Sequence, residues 1–387
     1  MPQSLLSQGR LGTRAHVLAW SNVLAFQLMG HRRTSVRGTK LAIFKPDRLG
    51  DFVMSLGAIR WLLNRVGEEN CVLFISPYAQ ELSERVFPRV ARVSFEPFPR
   101  ELWPAWRRFK EQATEPWWEH VFDTAISLRH HRMSWQELVF SRLQSRQKWA
   151  MRNEMMGRHP VEERWIRAPL SGEVPMPKVI GQSPCSEFEC HRQLLAQAFQ
   201  TPVRLEDVLP TVDLPVGVKP NGALLIFPFG SSELRTLPVD VVAAGVGKFR
   251  EIHPLPLRLA AAPGEIARYE RYADELVAKG LPRPTIVVTP TIGAFLEEVG
   301  ASRVVLTTES APAHLAVAMD RPTVTLLGGG HHGLFGPWTR SIRQIWLDHR
   351  MECYHCDWRC SQTEPFCLSR IAPDAVTQAL LKVFAVA

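Results

Sequence analysis

The chain has 387 residues, of which 45% are hydrophobic and 22% are charged, as in ordinary globular proteins. Its length predicts two domains, each large enough to bury its own core. The formal net charge is +8, but residues 1–40 contain six basic residues and no acidic ones, so six of these charges lie there. The nearly neutral remainder argues against nucleic acid as a partner, and no apolar run is long enough to span a membrane.

Residues 1–39 form a basic extension with an apolar stretch at 17–29 and a basic triplet at 31–33. A segment of this kind can lie on an anionic membrane surface. A loosely docked extension and a transit peptide fit the same composition, whereas no cleavage site supports a secretory signal. We expect a cytoplasmic protein, with peripheral contact to the inner membrane as one open interpretation.

Apolar strands alternate with amphipathic helices from Lys40 onwards. Residues 151–185 show little periodicity, but a capping box at 186–189 predicts a helix that ends near residue 199. This alternation is typical of a parallel sheet covered on both faces. We predict strands at 41–45, 71–75, 93–95 and 121–128, and helices at 51–66, 78–87, 102–113 and 134–144.

The alternation restarts after a proline-containing segment, residues 206–221, which we interpret as a linker. The predicted fold class is therefore α/β, with two doubly wound domains at 40–205 and 222–370. We predict a last helix within residues 371–387, which could cross back onto the first domain. Ligands should bind in the cleft between the domains. In the second half we predict strands at 223–227, 257–261, 285–288, 304–306 and 322–327, and helices at 238–249, 265–279 and from 310 onwards.

Residues 301–338 contain the strongest local signal in the chain. A strand leads into a polar turn, a helix opens with Ser310 as its N-cap and Pro312 in its first turn, and a second strand ends in three glycines. Free N–H groups and the helix dipole at such a start favour a phosphate. His314 lies in the first turns of this helix, where it faces either the core or the cleft.

Three other candidate positions follow predicted strands. After the first strand, Gly50 permits close approach of a ligand, and Asp51 is either a general base or a carboxylate that stabilises the helix dipole. Ser231 and Arg235 follow the strand at 223–227 and either bind a phosphate or form a solvated loop. Glu265 follows the strand at 257–261 and either accepts from a ribose hydroxyl or serves the helix dipole.

A basic cluster follows the strand at 121–128 and contains Arg129, His130 and Arg132. At the carboxyl end of a strand it could meet the phosphates of an anionic acceptor, although a solvated loop is the alternative. Four of the seven cysteines lie within fifteen residues, a spacing that suits a small zinc or iron site. Free thiols or one disulfide are the alternatives for Cys353, Cys356, Cys360 and Cys367.

Two of these segments together resemble glycosyltransferase family 9, the bacterial ADP-heptose:lipopolysaccharide heptosyltransferases and their relatives. Residues 40–62, KLAIFKPDRLGDFVMSLGAIRWL, resemble the family's N-terminal signature. Residues 301–338 are similar to its donor-site signature, in which a strand precedes Asp-Ser-Gly-x-x-His, a helix, a second strand and a glycine turn. The cysteine run with Ile371 and Pro373 also resembles the family's C-terminal end, so the resemblance covers about 40–385.

The resemblance implies a GT-B fold and an inverting transfer that needs no metal ion. The implied donor is a nucleotide sugar, with ADP-heptose first among them, and the implied acceptor is a lipopolysaccharide core or similar glycolipid. Asp51 matches the family's catalytic base, and acceptor binding falls to the first domain. The resemblance places the donor at Gly50, Ser231, Arg235, Glu265, Thr291, Glu309, Ser310, Ala311 and His314.

The sequence departs from the family pattern at several positions, two of which lie at the start of the donor-site helix. Glu309 stands where the family generally has Asp, and Ala311 replaces the usual Gly, so that a positive φ there would be costly. Two further hypotheses therefore stay open. One is a nucleotide-sugar-binding protein that is non-catalytic or has altered specificity, and the other is a GT-B enzyme of another kind, such as an epimerase.

Overall fold

The computed structural model describes Val17, Trp20 and residues 40–96, 120–130, 134–153, 170–176 and 185–387. The basic extension is thus described at two positions only, and the helix predicted at 102–113 lies outside the described residues. Within the described part of the chain, no helix combines the length and the apolar character needed to cross a membrane.

The first sheet has six parallel strands in the order β3-β2-β1-β4-β5-β6. The sequence predicts the first four and misses β5, whose residues are mostly polar, and β6, which is short and contains a proline. β5 pairs with β4 on one side and with β6 on the other, and no local pattern reveals this long-range pairing. The strands are β1 (Leu41–Lys45), β2 (Cys71–Ile75), β3 (Ala91–Ser94), β4 (Val121–Ser127), β5 (Gln144–Asn153) and β6 (Gly172–Met176).

The helix predicted at 51–66 is divided into two helices at Ser55, whose hydroxyl donates to Asp51 O at 3.2 Å. This break leaves Asp51 in the first turn of a short helix that follows β1 directly. The helices of the first half are α1 (Leu49–Met54), α2 (Leu56–Val66), α3 (Gln80–Val86), α4 (Ser134–Arg142) and α5 (Glu187–Phe199).

The second sheet repeats this arrangement in the order β12-β11-β10-β7-β8-β9, again with parallel strands. Each half is therefore the doubly wound α/β structure that the sequence predicts, and β12 is the strand of this sheet that the prediction misses. The strands are β7 (Leu224–Phe227), β8 (Leu257–Ala261), β9 (Thr285–Val288), β10 (Val304–Thr308), β11 (Thr323–Leu326) and β12 (Gln344–Leu347). The helices are α6 (Val239–Ile252), α7 (Ile266–Ala278), α8 (Ile292–Ala301), α9 (Ala311–Ala318), α10 (Phe366–Ser369) and α11 (Pro373–Ala385).

The two halves share an apolar core. One cluster of buried residues includes Ile43 of the first sheet together with Val305 and Leu315 of the second half. The start of α1 meets the start of α9, because a Cβ atom on Gly50 would lie 3.4 Å from Ala311 Cα. The carboxyl ends of both sheets therefore face one another.

The last helix, α11, differs from the prediction that it could cross back onto the first domain. It packs against α6 of the second domain, where Thr377 Oγ1 donates to Gly245 O at 2.9 Å. Val376, Leu380 and Val383 are buried in the core of that domain. The apolar face of α11 is thus buried within the second domain.

Candidate functional site

A cavity of about 400 Å³ lies between the carboxyl ends of the two sheets. Both domains supply its lining, and nine residues predicted from the sequence meet there. The predicted residues are Gly50, Asp51, His130, Ser231, Arg235, Glu309, Ser310, Ala311 and His314, and the others are Arg48, Leu49, Phe229, Gly230, Pro312, His331 and Phe335.

Asp51 is the carboxylate of the first domain that faces this cavity from α1. Burial raises the pKa of Asp51, the charge of His130 opposes that shift, and Asp47 adds to it. The oxygen and nitrogen atoms that Asp51, His130 and Glu187 offer lie within 4.8 Å of one another. The arrangement suits a carboxylate that exchanges a proton with a ligand.

A buried charge cluster supports this side of the cleft. Lys45 and Glu187 are both fully buried, and Lys45 Nζ lies 2.8 Å from Glu187 Oε1 and 3.3 Å from Asp47 Oδ2. Although burial opposes it, the charge of Lys45 holds the pKa of Glu187 well below its usual range. Lys45 also donates to Leu128 O at 3.0 Å, which ties the ends of β1 and β4 together.

Separating the buried Lys45–Glu187 pair should be costly. We expect Lys45→Met or Glu187→Gln alone to lower the free energy of unfolding by about 3–5 kcal/mol, because each leaves a buried charge without its main partner. The double variant should cost less than the two singles together. Urea unfolding measures the effect, with Lys248→Met as control because its pair with Asp374 is exposed and should contribute little to stability.

Arg235 is the main cation on the opposite wall. Its Nη1 lies 3.3 Å from Glu309 Oε2, and its Nη2 donates to Ser231 Oγ. The turn that carries Arg235 is closed by Gly230 N, which donates to Arg235 O at 3.1 Å. A fork-shaped guanidinium held in this way can meet two phosphate oxygens at once.

Glu309 is buried between Arg235 and His314. Burial by itself would raise its pKa, but the neighbouring His314 imidazole and the charge of Arg235 hold the pKa of Glu309 below its usual value. His314 Nδ1 accepts from Trp338 Nε1 at 3.1 Å, and its Nε2 lies 3.6 Å from Glu309. His314 therefore orients Glu309, in addition to lining the cleft.

The start of α9 differs from the prediction in one detail. Ser310 occupies the N-cap position, but its hydroxyl donates to Thr308 O at 3.1 Å and makes no hydrogen bond that caps the helix. The N–H groups of the first turn are thus left for a ligand. Ala311 is the first helical residue and is not among the positive-φ residues, so the expected strain is not present.

Three described residues of the predicted site do not line the cavity. Glu265 is exposed, and Thr291 is the N-cap of α8, accepting from Ala294 N at 3.1 Å. Arg129 is 2% exposed and pairs with Asp47 at 2.9 Å, because β4 directs it into the buried charge cluster. Arg132 lies outside the described residues. The ribose, nucleobase and acceptor roles of these residues stay predictions.

Sequence reasoning missed three contributions to the site. His331 follows the three glycines after β11, and this position near the end of a strand could have identified it as a site residue. The ring of Phe335 contacts the rings of both His331 and His130, with centroids 4.9 Å apart in each pair. Glu81 of the first domain accepts from Ile292 N and Gly293 N at 2.8 Å each and so bridges the domains at the start of α8.

The four clustered cysteines line a second, very small cavity of about 10 Å³ beneath the glycines. We call residues 351–368 the cysteine knuckle. All its thiols are free, and Cys367 is buried while the other three are half-buried. Among the described residues, only Asp51, His130 and Glu187 form a group of three or more metal-ligand side chains whose ligand atoms lie within 4.8 Å of one another. The four thiols do not form such a group, so they stand further apart than in a closed tetrahedral centre.

The fold, together with the residues that line the two sides of the cavity, defines a class of protein. E. coli heptosyltransferase WaaC with ADP has a TM-score of 0.61 to this chain and 17% sequence identity, covering 89% of this chain and 100% of that one. A glycosyl transferase family 9 structure from Veillonella parvula has a TM-score of 0.66 at 12% identity and covers 92% and 100%. At these identities the likeness establishes the fold, which is GT-B.

Sequence comparison leads from the fold to the family. Residues 265–365 match the family model for glycosyltransferase family 9 (heptosyltransferase). Lipopolysaccharide heptosyltransferase 3 of E. coli is 30% identical over 81 residues, which are 19% of this chain and 23% of that protein. The aligned segment thus spans under a quarter of the curated relative. The match over residues 265–365 supports the assignment to glycosyltransferase family 9 that the two signatures predict.

Proposed function

We propose that the chain is an inverting, metal-independent glycosyltransferase that moves a sugar from a nucleoside diphosphate donor to a hydroxyl of a cell-surface glycolipid. The observation that carries the proposal is that Asp51 of one domain and Arg235 of the other line the same cavity. ADP-heptose is the first candidate donor, since the relatives include a heptosyltransferase with ADP.

In the proposed reaction the donor diphosphate lies against Arg235 and the N–H groups at the start of α9. Asp51 takes the proton of the acceptor hydroxyl as its oxygen forms a bond to the anomeric carbon. The bond from that carbon to the diphosphate breaks, and its electron pair goes to the diphosphate oxygen. Arg235 and the backbone amides stabilise the charge that gathers there.

Turnover of ADP-, GDP- and UDP-sugars with lipopolysaccharide-core acceptors tests this proposal. We expect nucleoside diphosphate release with one donor only, and a product whose anomeric configuration is inverted. Binding of a donor by calorimetry without release across these acceptors would instead favour the non-catalytic alternative. A donor other than ADP-heptose would change the substrate and leave the mechanism intact.

The raised pKa of Asp51 has a consequence for activity. The proposed base works only when ionised, so kcat should fall as pH is lowered through the raised pKa, at a higher pH than an ordinary aspartate would cause. Burial, Asp47 and Glu187 all raise this pKa, whereas His130 and Lys45 lower it. In His130→Asn the acid limb of the kcat profile should therefore move to higher pH. An unmoved limb would exclude this coupling.

We also propose that the acceptor is an anionic glycolipid and that residues 1–39 keep the enzyme, a cytoplasmic protein, at the inner membrane surface. The five arginines and the absence of acidic residues in this segment support the proposal. Co-sedimentation with vesicles should require anionic lipid and should weaken with salt. Equal binding to neutral vesicles, or no binding at low salt, would contradict it.

A structural metal ion, zinc or iron, is proposed for the cysteine knuckle. Four free thiols line one small space and are suitable soft ligands, although they would have to draw closer together around an ion. The ion would hold the loop without taking part in the transfer. Elemental analysis of the purified protein should find about one ion per chain, lost in Cys353→Ser/Cys356→Ser and kept in Cys185→Ser. Metal-free wild-type protein would contradict the proposal.

A further inference from the structure

Two aromatic rings of the cysteine knuckle fill the space beside the glycine turn 328–330. A Cβ atom on Gly328 would lie 2.3 Å from the Trp358 ring, and one on Gly330 would lie 2.6 Å from it. At Gly329 the same atom would lie 2.1 Å from the ring of Tyr354. The turn after β11 and the knuckle are therefore packed as one unit.

Backbone hydrogen bonds hold this unit in a demanding conformation. His355 N donates to Gly329 O at 2.8 Å, and Asp357 N donates to Gly330 O at 3.1 Å. His355, Asp357 and Trp358 have φ values of 64°, 53° and 57°, a region that residues with a side chain rarely adopt. Such a conformation persists only where its surroundings determine it, which gives the Trp358 ring a defined place.

The knuckle also reaches the cationic wall of the cleft. The guanidinium carbon of Arg235 lies 5.6 Å from the centroid of the Trp358 ring, within the range of a cation–π contact. Asp357 Oδ1 lies 3.0 Å from Nε2 of His331, and both Arg235 and His331 line the cavity. The cysteine knuckle thus contacts two basic side chains that line this wall of the cavity.

We propose that Trp358, fixed by the cysteine knuckle, is a positioning residue that holds Arg235 in the orientation in which it binds a diphosphate. This inference rests on the proposed function, because it takes the diphosphate of a nucleotide sugar as the ligand. It adds a role that the transfer mechanism does not use: the knuckle sets the affinity of the cleft for the donor. Glu309 pairs with the guanidinium of Arg235, and the indole ring of Trp358 lies against the same group.

The first test is pyrophosphate and ADP binding by calorimetry. Trp358→Leu keeps apolar bulk against the glycines but removes the aromatic face, and it should weaken binding of both probes by about threefold to thirtyfold. Trp358→Phe should restore most of the affinity. The matched control is Trp61→Leu, since Trp61 also lies under an arginine, Arg65, at 5.8 Å, but on α2 and away from the cleft. Unchanged pyrophosphate binding in folded Trp358→Leu would overturn the proposal.

A second test needs no variant and covers the case in which Trp358→Leu does not fold. If the knuckle and the diphosphate are coupled, the coupling is reciprocal, so saturating pyrophosphate should slow alkylation of Cys353, Cys356 and Cys360 severalfold. Cys185, half-buried in the first domain, serves as the internal control. Equal alkylation rates with and without pyrophosphate would overturn the inference.

These tests are separable from that of the proposed function. Pyrophosphate reports on the cationic wall whatever the nucleobase, the sugar or the acceptor. Wild-type protein that binds pyrophosphate but transfers no sugar would refute the proposed enzyme and leave the role of Trp358 open to measurement. Wild-type protein that binds neither pyrophosphate nor any nucleotide would refute both.

Discussion

Replacing Asp51 by Asn should lower kcat by about a hundredfold to ten-thousandfold, the contribution typical of a positioned general base. Asn keeps the shape of the side chain and its place in the first turn of α1 but cannot accept the proton of the acceptor hydroxyl. Donor binding, measured by calorimetry with ADP, should remain, because the proposed diphosphate site lies on the other domain. Steady-state turnover of the donor identified by the nucleotide-sugar screen measures the loss.

The same substitution should stabilise the fold at neutral pH. The pKa of Asp51 is raised in the folded protein, so the folded state binds this proton more tightly than the unfolded chain does. The stability contributed by the protonated carboxyl is therefore present at low pH and is lost as pH rises through the raised pKa. Asp51→Asn removes that dependence, and its unfolding midpoint should lie above that of the wild type at pH 7.

Asp240 provides the matched control for this experiment. It is also an aspartate in the first turn of a helix, α6, but its side chain is 79% exposed and pairs with Lys279. If Asp51 served only the helix dipole, Asp51→Asn and Asp240→Asn would behave alike and leave kcat unchanged. Equal turnover by Asp51→Asn and the wild type would remove the proposed base.

Arg235→Met should produce the second large effect, a loss of about a hundredfold to a thousandfold in kcat/KM for the donor. The guanidinium is the main positive charge on the wall that we assign to the diphosphate. Its Nη1 lies 3.3 Å from Glu309 Oε2, and no other described residue forms an ion pair with that oxygen. Arg235→Lys should recover part of the loss, because it keeps the charge but not the two-pronged geometry. Donor kinetics and ADP calorimetry together measure the change.

Two controls separate a binding effect from a folding effect. Arg258→Met breaks another arginine–glutamate pair of the same domain, with Glu298 as partner, away from the cavity lining, so it should cost stability and leave the donor KM unchanged. Adding Glu309→Gln to Arg235→Met should restore the stability lost by leaving a buried carboxylate unpaired, without restoring donor affinity. Recovery of affinity in that double variant would contradict the role of Arg235.

The sequence alone was sufficient for the fold class and for the segments that make the cleft. Strands with apolar runs and helices with an apolar face are encoded by neighbours a few residues apart, so periodicity predicts them. Asp51, Arg235 and Ser310 follow such strands, and the carboxyl ends of parallel strands are where a ligand binds. For the same reason β5, β6 and β12 were missed, since polar or short strands depend on partners that local patterns do not reveal.

Only the tertiary structure decided which of these residues meet, because the partners are far apart in the chain. Lys45 is 83 residues from Leu128 and 142 from Glu187, yet it bonds to both, and this cluster turns Arg129 inward while His130 stays in the cleft. In the sequence, Trp358 is likewise only a tryptophan in a cysteine-rich loop. Folding places its ring next to the guanidinium of Arg235. Side-chain roles of this kind depend on burial and on long-range partners, which arise when the two sheets pack together.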